Sequence, residues 1–295
     1  VWGWACRFPP RKKSRPKTER ETPVHHPKGT LSSTIAVFSI VVGLVWIGSA
    51  PALADQYDPP AGYYSTATST DSTTLNQQLH DIIDGHTTRS YDAARQALAI
   101  LDVDPDNVNN LISIYDGKSL PKIWDAGVTW NREHTWPRSR GVGTSGPDNS
   151  DLHMLRPAWS ATNGSRGNDP FGTGSGYFDP GAHGYNDRGQ ISRTMFYAAV
   201  RYDGTDSNTT DLYLVDFFPS GNQMALLSEL LQWHYAYAPD QRERRRNHLI
   251  WDSNPADWYD PVVNTTPVSY HQGNRNPFVD HPEYAWVIWG AGDNN

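Results

Sequence analysis

The chain contains one cysteine, Cys6, and everything after it must fold without thiol chemistry. Beyond that position there can be no disulfide, no zinc–thiolate site and no cysteine nucleophile. Cys6 itself stands in a distinctive N-terminal stretch. Residues Arg7 to Lys28 are basic and Pro-rich, an apolar run follows from Thr34 to Ile47, and small residues occupy Ala52 and Ala54. A positive segment, a short apolar core and a small-residue site form the pattern of a secretory signal. Residues 1–54 are therefore expected to be cleaved after Ala54 during export. The alternative is a membrane anchor. Ser39 and Gly43 interrupt the run, however, and it is short for a bilayer span of about 20 residues. The expectation is a secreted protein, extracellular or periplasmic, with no membrane attachment after cleavage.

Without disulfides the remainder must be held by its core. About 240 residues rich in Trp and Tyr can build one. The first 54 residues carry eight of the 25 Lys and Arg and two of the 32 Asp and Glu. Their removal leaves 17 basic against 30 acidic side chains, a net charge of −13. Such a surface favours solubility and disfavours coating of a polyanion. A local Arg-lined groove can still hold phosphates, because charges beyond a Debye length of about 10 Å are screened.

Residues 55–70 are rich in Pro, Gly, Ser and Thr and read as a flexible lead-in to a domain over 71–295. From Ser72, Leu75, Leu79, Ile82 and Ile83 recur at helical spacing and Gly85 closes the segment. Tyr91 to Leu101 reads as a second helix. Leu111 to Tyr115 and Val128 to His134 read as strands, and Pro157 to Arg166 as a short helix with Pro in its first turn. Residues 167–190 form a long Gly-, Asp- and Asn-rich loop. Ile191 to Tyr202 predicts a helix, Leu212 to Phe218 a strand or buried extended run, Gln223 to Tyr237 a helix, and Pro239 to Trp251 another. Gly273 to Trp289 contains a short amphipathic segment. No internal repeat interrupts the pattern. The fold class is α+β, a mostly helical single domain.

The chemistry is concentrated in three stretches: Trp130-Asn-Arg-Glu-His-Thr-Trp-Pro-Arg-Ser-Arg140, Asp148-Asn-Ser-Asp-Leu-His-Met-Leu-Arg-Pro157, and Asn163-Gly-Ser-Arg-Gly-Asn168. Phosphodiester hydrolysis needs a base for water, a cation at the leaving oxygen and positive charge at phosphorus. Neutral His suits the first role near pH 7. A carboxylate with an amide oxygen suits Mg²⁺, and Arg suits the third role through its planar fork. Simpler readings stand beside these. His153 among apolar neighbours is a structural histidine before it is a ligand. The Arg242–Arg246 run is a solvated helix face before it is a nucleic-acid patch. Trp130 and Trp136 are packing residues before they are stacking platforms.

The order of these stretches resembles the endonuclease I family of bacterial periplasmic and extracellular nucleases. Arg193-Thr-Met-Phe-Tyr-Ala-Ala-Val-Arg-Tyr202, Leu231-Gln-Trp-His234, Arg244-Arg-Arg-Asn247 and Gln272-Gly-Asn-Arg-Asn-Pro-Phe278 are similar to it as well, so the resemblance runs from Leu75 to Gly290. It implies a ββα-metal, or His-Me finger, core. It implies that His134 is the general base, and that Glu133 and Asn163 hold one divalent ion, Mg²⁺ or a substitute such as Mn²⁺ or Ca²⁺. It further implies cleavage of DNA, RNA or both with little sequence preference, leaving 5′-phosphates. Arg138, Arg140 and Arg166 are the candidates for stabilising transition-state charge. The substrate partner is nucleic acid, and the protein is read as a monomer.

One geometric difficulty is already visible. Neighbouring strand residues face opposite sides, so in a regular strand Glu133 and His134 diverge. The strand must end, twist or bulge there, and Pro137 is compatible with that. Two rival functions share the composition: an exported module binding a polymer through its many tryptophans and a structural Ca²⁺, and another metal-dependent phosphoesterase. The chain lacks His-Glu-x-x-His and Gly-x-Ser-x-Gly, which disfavours zinc and serine hydrolases.

Overall fold

In the computed structural model, residues 55–204, 208–264, 266 and 268–290 are described. The expected signal segment, residues 1–54, lies outside them. The α+β expectation holds: helices surround three small sheets. Helix α1 (Ser72–Ile83) begins where the Asp71 side chain accepts from the Thr74 amide at 2.9 Å. Helix α2 (Tyr91–Leu101) begins at Ser90, which caps Ala93 in the same way. Such caps satisfy amides that have no partner within the helix. Strands β1 (Val103–Asp104), β2 (Asn107–Ile112) and β3 (Ser119–Pro121) form an antiparallel sheet in that order.

Strands β4 (Trp130–His134) and β5 (Leu155–Trp159) then pair antiparallel, with Glu133 opposite Arg156 and His134 opposite Leu155. Helix α3 (Ser160–Arg166) follows β5 directly and packs on both strands. Next come α4 (Arg188–Arg201), the two-residue parallel strands β6 (Tyr213–Leu214) and β7 (Gln223–Met224), α5 (Leu227–Ala236), α6 (Gln241–Trp251) and α7 (Pro277–Asp280). No helix among the described residues is long and apolar enough to cross a membrane.

Several expectations are corrected here. The strand partner of β4 is Leu155–Trp159, not Leu111–Tyr115, and Pro157 sits within that strand rather than in a helical turn. A proline is tolerated there because the hairpin does not need its missing donor. The earlier segment runs beside the hairpin without joining it: the Ile114 amide donates to the Pro157 carbonyl (2.9 Å), and Tyr115 turns away with φ of 75°. Residues 223–226 are extended rather than helical. Phe217 and Phe218 are exposed, not a buried run. The stretch 55–70 packs against the domain: Tyr64 is buried and its hydroxyl donates to Asp280 at 2.7 Å, while Asp58 pairs with Arg244 at 2.6 Å.

The β4–β5 hairpin contributes to two apolar clusters. Trp130 and Leu155 join Leu98, Leu101, Leu152 and Ile250 in one. Ala158 joins Leu79, Met195, Phe196 and Leu230 in the other. Each fully buried large side chain stabilises by about 1.5–3 kcal/mol. Helix α4 runs through the second cluster and is buried on every side from Gly189 onward, polar residues included. Buried charge requires a partner. Arg193 finds one in Glu243 of α6, with two contacts of 2.6 Å that join the helices. Glu243→Ala leaves that guanidinium buried and uncompensated. It should lower stability by about 3–5 kcal/mol in denaturant unfolding; an unchanged midpoint would show that the pair does not join α4 to α6.

Candidate active site

Strand β4 positions the site through its alternation. Trp130, Arg132 and His134 share one face, and Asn131 and Glu133 share the other. The His134 ring is 8% exposed and stacks on Tyr91, with centroids 5.7 Å apart and planes at 25°. Its Nε2 lies 2.9 Å from the Asn149 carbonyl. A carbonyl only accepts, so Nε2 carries the hydrogen and the basic lone pair of the neutral ring is on Nδ1. Burial, helped by Arg138 and Arg132 and opposed by the Asn149 carbonyl, lowers the His134 pKa to about 4. The imidazole is thus neutral at ordinary pH and fixed in one tautomer.

On the opposite face Glu133 is buried. Its Oε1 accepts from the Tyr115 hydroxyl (2.7 Å) and from Arg166 Nη1 (3.0 Å). Burial raises the Glu133 pKa, while Arg166 and Tyr115 pull it back. Helix α3 brings Asn163 to the same side, where its amide donates to Asn131 Oδ1. Asn131 and Asn163 thus touch each other on the face of β4 that carries Glu133, whose Oε1 is engaged by Tyr115 and Arg166. Among the described residues there is no group of three or more His, Cys, Asp or Glu able to hold a metal. The oxygen set suits a hard cation that keeps several waters.

The three candidate arginines occupy different places. Arg166 is 1% exposed and donates to Glu133, to the His134 carbonyl (3.1 Å) and to the Thr135 carbonyl (2.8 Å). It ties the Glu133 carboxylate to the backbone at the end of the strand. Arg140 points away, to the carbonyls of Asn168 and Pro219. Arg138 stands beside the imidazole: its Nε and Nη2 donate to Asn149 Oδ1 at 3.0 and 2.7 Å, and the Asn149 carbonyl holds His134. A cleft of about 540 Å³ lined by Arg89, Tyr91 and Asn149 opens on this face.

Other suspected residues are structural. His153 is buried against Tyr197 and its Nε2 lies 3.2 Å from the Asn274 carbonyl. Arg246 pairs with Asp102, Arg244 with Asp55 and Asp58, and Arg245 binds the last carbonyls of α2. That helix therefore braces the interior rather than offering a solvated basic face. Tyr91, Asn149 and Asn131 belong to the site and were not singled out in the sequence. Asn149 and Asn131 lie inside the noted stretches, but nothing local marks Tyr91 beyond its place at a helix start.

The sequence pattern of the endonuclease I family matches residues 71–283. An extracellular ribonuclease of Bacillus amyloliquefaciens is 38% identical over 242 residues, covering 77% of this chain and 78% of that protein. An extracellular ribonuclease of Bacillus subtilis (strain 168) is 36% identical over 277 residues, covering 88% and 89%. No solved structure matches the chain. With this span of similarity the protein is a nuclease, a phosphodiester hydrolase, which sets aside the reading as a nonenzymatic polymer-binding module. The chain belongs to the endonuclease I family.

The imidazole environment is directly measurable. In an NMR titration of the metal-free protein, His134 should keep the shifts of a neutral Nε2–H ring down to about pH 5. A midpoint near the ordinary 6.5 would contradict the buried, carbonyl-pinned geometry.

Proposed function

We propose that this protein is a secreted endonuclease that hydrolyses RNA, DNA or both with little sequence preference, using one divalent ion and His134 as general base, and leaving 5′-phosphates. The observation that carries the reading is the His134–Asn149 contact, which leaves a basic Nδ1 on a neutral ring whose partners Tyr91 and Asn149 line a cleft together with Arg89. Both relatives are named extracellular ribonucleases, which favours RNA as a substrate and export of this chain. The N-terminal signal pattern supports the same destination, with the mature protein working as a monomer.

In this reading His134 Nδ1 takes the proton of a water as it attacks phosphorus; the bond from phosphorus to the 3′ oxygen breaks, and that oxygen leaves as the 3′ hydroxyl after taking a proton from solvent. The Asn149 carbonyl stabilises the imidazolium that forms, through the Nε2 hydrogen it already accepts. Arg138 supplies charge to the phosphoryl oxygens, with its fork held in place by Asn149. Arg166 keeps the carboxylate of Glu133 and the backbone of His134 in fixed relation. Glu133 and Asn163, with Asn131 beside them, would hold Mg²⁺, or Mn²⁺ or Ca²⁺ in its place. When bound, such an ion supplies positive charge at the phosphate and the leaving oxygen. The end of β4 at His134 is where groups from the two faces can address one phosphate, the His-Me finger arrangement that a hairpin followed by α3 supports.

His134→Ala should lower turnover by about 10²–10⁴-fold in a plasmid and RNA cleavage assay, the range of a positioned base. Near-normal turnover of the folded variant would refute the assignment. Arg138→Ala should reduce activity far more than Arg140→Ala; the reverse order would move the phosphate contact to the other side of the molecule. EDTA should abolish cleavage and added Mg²⁺ should restore it.

A further inference from the structure

The arginine beside His134 is the first of a series. Arg138 lies over the Tyr91 ring at 4.6 Å, and Arg132 over the same ring at 3.6 Å. Arg132 also lies 5.3 Å from the Trp124 ring, and Arg95 lies 5.5 Å from it. Cations and rings therefore alternate from the candidate base to Trp124, where a cavity of about 310 Å³ opens between Trp124, Trp130, Ile123 and Gln96. Trp130 and His134 are four residues apart on one strand face, so the series extends about 13 Å.

Three features separate this series from ordinary packing. Arg132 and Arg138 form no ion pair among the described residues, whereas Arg166, Arg193 and Arg246 each do. Trp130 lines the cavity, and its indole N–H is buried with no acceptor among the described residues. Ile123, which also lines the cavity, is 58% exposed. At the far end Asp92 pairs with Arg95 and Asp260 with Lys122, while Asp125, next to Trp124, binds the amide and hydroxyl of Thr129.

This combination has a natural complement. A phosphate backbone would neutralise the unpaired guanidiniums. An unstacked base would offer a face to Trp124 and ring carbonyls to an unused donor. Alternating cations and aromatic surfaces are how single strands are held without regard to sequence, and a duplex keeps its base faces buried in its own stack. We propose that the series from Arg138 to Arg95 is a track for single-stranded nucleic acid, RNA or DNA, leading to His134, with the cavity beside Trp124 receiving one unstacked base. The inference rests on the nuclease reading and names its substrate class.

The test measures binding of labelled single-stranded RNA, single-stranded DNA and duplex DNA of one sequence to the full chain, by fluorescence anisotropy in EDTA. Trp124→Ala should weaken both single strands by about tenfold, the order of one lost stacked base, and leave the duplex within about twofold. Trp124→Phe should retain most of the affinity. Unchanged single-strand binding by Trp124→Ala, or equal weakening of duplex and single strands, would overturn the track. A parallel cleavage assay keeps the two readings apart. A wild-type chain that binds through Trp124 but cuts nothing refutes the nuclease mechanism and leaves the track standing. One that cuts normally while its binding ignores Trp124 does the reverse.

Discussion

The alternation of side chains along β4 is the constraint on which the structure depends. Five residues paired to β5 send Trp130 and His134 to one side and Asn131 and Glu133 to the other. Each side has its own apolar cluster. The strand cannot slip by one position without driving Glu133 into the cluster that holds Trp130 and Leu155, so packing fixes the register. The register in turn decides which face receives the imidazole and which receives the oxygen donors. Arg166 reaches across this division, touching the carboxylate of one residue and the backbone of the next.

The lack of thiols after Cys6 explains how the rest is held. Extracellular proteins often rely on disulfides; this chain ties distant segments with buried polar contacts. Arg193 binds Glu243, Arg246 binds Asp102, and Lys122 binds Asp260. Asp151 gathers the Tyr197 and Tyr202 hydroxyls at 2.8 Å and the Gln272 amide at 2.9 Å. The stretches Arg193–Tyr202 and Gln272–Phe278, far in sequence from β4, supply the partners that gather on Asp151. Their residues hold the frame and leave the chemistry to the hairpin.

Local signals made much of this legible. The helices over Ser72–Ile83 and Tyr91–Leu101 follow from apolar spacing and capping side chains, and β4 falls inside the strand expected over Val128–His134, ahead of Pro137. Strand β5 was not legible, because Pro157 before a run of small residues reads equally as a helix start; its strand conformation is imposed by pairing with β4. The same division applies to the site. Glu133, His134 and Asn163 stand out as residue types in a motif. Tyr91 and Asn149 do not, since their roles come from tertiary contacts with His134 across 43 and 15 positions of the chain. Arg140 looked as good as Arg138 on paper, and only the turn after Pro137 sends them to different places.

In the proposed mechanism the imidazole on one face of β4 and the oxygen donors on the other serve one phosphate and one cation at the strand's end. Paramagnetic broadening by Mn²⁺ in the isotope-labelled protein tests it most directly. The account predicts that signals of the Asn163 side-chain amide and the His134 ring broaden together at the lowest Mn²⁺ additions, and that Glu133→Gln weakens both effects in parallel. Broadening centred elsewhere, or an Asn163 response with His134 untouched, would contradict it.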